Sequence, residues 1–134
     1  NDIITSQVNS GSTNSNHHMA HIIDGNRNSL SHLQYADGKK NGFIEITGDD
    51  NDVTLEQRNG ASHFADIVLT GDDHTVYGEQ RGGMYGAHSI TMDLSNAGGA
   101  YNISTIQNSA NAQTYSLTGS CSTVGGCAIT VTQY

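Results

Sequence analysis

From about residue 40 onward, apolar side chains fall at every second position in short bursts. Ile44 and Ile46 flank Glu45, Ile90 and Met92 flank Thr91, and Ile67 and Leu69 follow the polar Asp66. Period-two alternation is the mark of a β-strand with one face buried. The bursts recur at a fixed distance. The segments 32–51, 55–74 and 78–97 align without a gap, each starting the same distance after the last. In each, a glutamine leads into a Gly-rich turn that leads into an alternating strand. Gln34, Gln57 and Gln80 form one column, Ile44, Ile67 and Ile90 a second, and Ile46, Leu69 and Met92 a third. Slightly longer steps extend the glutamine column to Gln7, Gln107 and Gln133. The extra residues belong in loops such as 11–18 and 120–126, because insertions in repeat architectures map to loops.

A unit of about 23 residues with two short strands is too small for a helical repeat or a propeller blade and suits one coil of a β-solenoid. The expected fold is all-β: stacked β-arches of two sheets, about five coils and a final half coil, in a single domain over 1–134. The units run over about 1–28, 29–51, 52–74, 75–99 and 100–126, with a last strand at 127–134. Coils would rise by about 4.8 Å, so the glutamines would stack as a hydrogen-bonded ladder.

Composition agrees with so thin a core. Of 134 residues 34% are hydrophobic, there are 16 Gly and no Pro or Trp, and the formal charge is −8. Five basic residues cannot build the positive face that nucleic acid or an anionic membrane demands. No apolar run reaches the roughly 20 residues of a spanning helix and no signal peptide is evident, which points to a cytosolic chain or a processed secreted one. Cys121 and Cys127 bracket a short loop and are expected to form a disulfide, which favours an oxidising, extracellular setting.

A Gln-led repeat with Gly, Asn and Ala in the following turn resembles the curlin repeat of bacterial curli subunits. The likeness rests on Gln57 with Gly60, Gln80 with Gly83, Asn41, Ala65 and the closing segment 128–134. It implies a divergent, secreted subunit of an amyloid-like fibre that builds biofilm matrix and mediates adhesion, a non-enzyme whose partners are copies of itself, secretion machinery and matrix components. The polymerising edges would be Ile3 and Ile4 at one end and Ile129 and Val131 at the other. With an odd number of strands, successive subunits are expected to be rotated by about half a turn. The alternative is a monomeric secreted β-solenoid that binds ice, carbohydrate or Ca²⁺. Ice binding would want a repeated Thr-x-Thr, and the one pair is Thr130 with Thr132. An enzyme would want carboxylates and a base in a cleft, which a stack of coils does not offer.

Two acidic turns, 46–51 and 69–74, place Asp49 over Asp72 and Asp50 over Asp73, at about 1 kcal/mol of repulsion per pair in water. Arg27 falls in the Asp50 column and offsets part of it, while Ser95 and Asn96 would end the column. The four aspartates are a candidate Ca²⁺ site, and charge reduction by mild acid or Ca²⁺ is expected to speed assembly. Glu56 and Arg58 share a strand face, and the pair recurs as Glu79 and Arg81, giving opposite-sign diagonal neighbours between coils. His17 and His21 could share a face as transition-metal ligands, whereas His32, His63, His74 and His88 share no column. The absence of Cys-x-x-Cys-His excludes covalent haem, and the Asn102 glycosylation triplet carries no weight in a bacterial route.

Overall fold

The computed structural model describes residues 1–8, 16–36, 38–59, 62–82, 87–95, 100–109, 111–119 and 127–133. These form a two-sheet parallel β-solenoid of about five coils. Twelve strands occur in chain order: β1 (Asp2–Val8), β2 (His18–Asp24), β3 (Ser29–Tyr35), β4 (Lys40–Thr47), β5 (Asp52–Gln57), β6 (His63–Thr70), β7 (Thr75–Gly82), β8 (His88–Thr91), β9 (Leu94–Ser95), β10 (Tyr101–Ser109), β11 (Gln113–Ser116) and β12 (Cys127–Gln133). The first sheet has the order β1-β3-β5-β7-β10-β12; the second has β11-β8-β6-β4-β2, with β9 continuing beside β6. Every strand pairing is parallel, and the first sheet holds one strand more than the main run of the second.

The two sheets interlock by size. The middle inward column of the first sheet reads Thr5, His32, Leu55, Gly78, Thr105 and Val131. A neighbouring column of the second reads Met19, Gly42, Ala65, Ile90 and Tyr115. Large side chains meet small ones. A Cβ on Gly42 would come within 2.2 Å of the His32 ring, and one on Gly78 would find the Ile90 Cδ1 at 3.8 Å. Gly42→Ala is therefore expected to destabilise by about 1–3 kcal/mol through overpacking. For Gly78→Ala the tightest contact is the flexible end of Leu55, its Cδ1 at 3.3 Å, and the change is expected to be neutral, or stabilising by a few tenths of a kcal/mol through the unfolded chain. Chemical denaturation of both variants checks the contrast.

This interlock corrects the gapless alignment. β8 pairs with β6 through His63↔His88 and Ala65↔Ile90, a longer step along the chain than Gln57↔Gln80 makes in the first sheet. Two extra residues precede β8. Ile90 consequently stacks on Ala65 and Gly42, not on Ile67 and Ile44. The backbone N–H of Met92 donates to the carbonyl of Asp66 at 2.9 Å, which carries Met92 onto the Ile44–Ile67 column instead of the Ile46–Leu69 one. An even shift keeps each side chain on its own face, so alternation alone could not detect it. His63 and His88 do share a column, with rings stacked at 5.0 Å between centroids. Ser95 pairs with Thr70, outside the Asp72 column, and Asn96 lies outside the described residues.

Turns of the type Gly48-Asp49-Asp50 join β2 to β3, β4 to β5 and β6 to β7. Gly25, Gly48 and Gly71 have φ of 131°, 130° and 119°, and Arg27, Asp50 and Asp73 sit in the left-handed region. The turns themselves stack: Gly48 and Gly71 N–H groups donate to Asp24 and Thr47 carbonyls at 2.9 Å. The acidic column is held by the backbone. Asp49 Oδ1 accepts from the Asn26 N–H, and Asp72 Oδ1 from the Asp49 N–H, both at 2.7 Å. Arg27 grips Asp50 with two bonds of 2.6 Å, and these hold the exposed Asp50 carboxyl below its ordinary pKa.

Candidate functional site

Two polar ladders run through the core along the solenoid axis. In the first, Nε2 of each glutamine donates to Oε1 of the next: Gln7 to Gln34 at 3.1 Å, Gln34 to Gln57 and Gln57 to Gln80 at 2.8 Å, Gln80 to Gln107 at 3.4 Å, and Gln107 to Gln133 at 3.1 Å. The four inner glutamines are fully buried. Their Nε2 groups also donate across the core to the carbonyls of His18, Asn41, Phe64 and Ser89, at 2.7–3.0 Å. A carbonyl can only accept, so these cross-bonds fix which way each amide faces.

The second ladder escapes the sequence reading. It runs Asn1, Asn28, Asn51, His74, Tyr101. Backbone N–H groups of Asn28, Asn51 and His74 donate to the asparagine Oδ1 one coil earlier at 2.9 Å, and Tyr101 N–H donates to His74 Nδ1 at 3.1 Å. Asn28 and Asn51 also hold the Gly48 and Gly71 carbonyls at 2.8 and 3.0 Å. Asn28 and Asn51 keep the same spacing as Gln34 and Gln57, which is the signal available in the sequence. The column changes residue type at His74, and there the pattern is lost.

Histidine and lysine are drawn into the same narrow interior. His32 and His63 are buried, and desolvation pushes both pKa values down to about 4. His21 Nε2 lies 2.8 Å from His32 Nδ1, so one ring donates to the other in the neutral pair. Lys40, buried in the column of His63 and His88, donates from Nζ to the Asn59 carbonyl at 2.6 Å. Of the proposed metal pair, His17 and His21 turn into the open end of the stack, beside Thr5, Gln7 and Met19. Among the described residues no three His, Cys, Asp or Glu side chains gather as metal ligands, at the histidines or at Asp49, Asp50, Asp72 and Asp73.

On the outer face of the first sheet, Glu56 pairs with Arg58, just past the end of β5, and Glu79 with Arg81 within β7. The register sets Glu56 beside Glu79, so each arginine is also a diagonal neighbour of the other coil's glutamate, and each glutamate accepts from a tyrosine hydroxyl, Tyr35 at 2.8 Å and Tyr77 at 2.9 Å.

The ends are where this order is interrupted. β1 is exposed at every position, with Ile3 at 51% and Ile4 at 57%. By register Ile3 belongs to the core column Leu30–Val53–Val76–Ile103–Ile129, while Ile4 belongs to the outer face with Ser31. At the other end Ile129, Val131 and Gln133 face inward and are half covered. The expected Cys121–Cys127 disulfide falls in part outside the described residues, where Cys121 lies; Cys127 is not a free thiol. The loops 11–15 and 120–126, with Gly60 and Gly83, also lie outside the described residues. No helix among the described residues is long and apolar enough to cross a membrane.

The fold and its ends define a parallel β-solenoid whose core columns lie open at both termini of the stack. No family model, curated protein or solved structure matches the chain.

Proposed function

We propose that this chain is a structural, non-catalytic subunit that assembles end to end into a secreted, extracellular curli-like fibre. The observation that carries this reading is the pair of open ends. At one, Ile3 is 51% exposed and a glutamine column stops at Gln7; at the other, Ile129 and Gln133 continue the same two columns and stop again. Solenoids that remain monomeric cap or charge such edges. Joining one end to the other is heterologous, does not close on itself and generates a filament. The sequence resemblance to curlin repeats supports the extracellular setting and the matrix role.

Purified protein incubated at neutral pH should form unbranched fibrils visible by negative stain. Ile3→Lys and Ile129→Lys, each placing a charge at an end without disturbing inner coils, should leave the circular dichroism of the monomer unchanged and abolish elongation. Fibrils from both variants at the wild-type rate would sink the reading.

A further inference from the structure

Resting on that assembly reading, the glutamine ladder fixes the geometry of the joint. Each inner amide accepts on the side of the preceding coil and donates toward the following one, and the cross-bonds to His18, Asn41, Phe64 and Ser89 hold it that way. The ladder is directional. Gln7 uses Nε2 inside the stack and turns Oε1 to the open end; Gln133 uses Oε1 inside and turns Nε2 outward. One end is an acceptor and the other a donor.

We infer that the next copy adds without the half-turn, β1 of the incoming subunit pairing in parallel with β12 of the last. The register of β12 with β10, and of β1 with β3, then continues across the joint. Ile3 lies on Ile129, Thr5 on Val131, and Gln133 Nε2 donates to Gln7 Oε1. A head-to-head joint would set two acceptors against each other. A half-turn would lay β1 on the second sheet. The glutamine column faces the start of the second-sheet strands at His18, Asn41 and Phe64, so after half a turn Gln7 would fall over their far ends. Ile46 and Leu69 form the core column there. Both terminal amides would then be buried without partners, which is the expensive way to leave a polar group.

The unrotated joint has its own cost. With six strands in the first sheet and five along the main run of the second, one strand position between β11 and the next β2 stays empty. Those edges are exposed already in the free subunit and stay hydrated at the fibre surface, so the unmade backbone bonds are to water and not to nothing.

Helical reconstruction of fibres by electron cryomicroscopy separates the arrangements. Six strand levels per subunit give an axial repeat of about 29 Å with a small twist; a half-turn joint interleaves the sheets and gives about 26 Å with a rotation near half a turn. The first result is expected. The second would overturn the joint and leave assembly standing, and a chain that forms no fibre would overturn both. A second readout does not need imaging. Gln7→Leu or Gln133→Leu alone should slow elongation about tenfold by stranding one amide, and the double variant should recover most of the rate, since replacing both partners is nearly neutral. Thermal melts of the free subunits control for folding. Additive slowing in the double variant would show that the two glutamines do not meet.

Discussion

Lowering the pH from 7.5 to 4 should strip the subunit of about 3 kcal/mol of stability for each of His32 and His63. Both rings are neutral in the fold because burial pulls their pKa from 6.5 to about 4. The unfolded chain therefore binds protons in this window and the folded one does not. Stability is complete above about pH 6.5, falls as the pH drops toward 4, and levels off below it. The neighbours reinforce the sign: His21 opposes a charge on His32, and Lys40 and His88 oppose one on His63. Mild acid, expected to speed assembly by discharging the acidic turns, would at the same time weaken the folded subunit. Urea denaturation at pH 7.5, 6, 5 and 4 should show the midpoint falling steadily. His63→Gln should flatten part of the slope, and a flat profile in the parent chain would refute the account.

A single methyl group at Gly48 should be nearly as damaging. Its Cβ would lie 2.1 Å from the Gly71 carbonyl oxygen, and φ is 130°. That backbone region is essentially confined to glycine, with strain of about 1–3 kcal/mol for other residues. The clash adds a similar amount, because the Gly71 oxygen is pinned by Asn51 Nδ2 at 3.0 Å and cannot move aside alone. Gly48→Ala is expected to destabilise by on the order of 4 kcal/mol. Thr47→Ala, one residue earlier at an exposed position, should stay within about 0.5 kcal/mol. A Gly48→Ala midpoint close to that of the Thr47 control would mean that the turns are not stacked at this distance.

Much of this architecture is written in the sequence as spacing. The glutamine column, the two strands per coil and the arginine opposite Asp50 all follow from counting along the chain, because a solenoid converts sequence distance directly into vertical neighbours. Counting fails where the period changes inside a coil. A gapless alignment misplaces Ile90, since the two residues added before β8 move it by one inward position without changing its face. The shared column of His63 and His88 is lost for the same reason. The asparagine ladder escapes because its role depends on side-chain oxygens reaching backbone N–H groups, which His74 can imitate with a ring nitrogen and which no alternation pattern encodes. In the sequence His32 shares no column with the other histidines. Its place in the core is visible only beside Gly42, on the opposite sheet, and contacts across the core do not recur at the repeat distance.

The pairing of large with small across the core also fixes the phase of one sheet against the other. His32 faces Gly42 and Ile90 approaches Gly78, so sliding one sheet by a single coil in one direction would drive the His32 ring toward Ala65, and in the other would set Gly78 against Ala65 and leave a void. Each coil thus carries an address that the repeated glutamines, identical from coil to coil, cannot supply. A growing stack that zipped up one coil out of phase would keep its ladder bonds and still be rejected by its interior, and exchange of β3 with β7 alone, leaving β4 and β8 in place, should yield a chain that fails to pack.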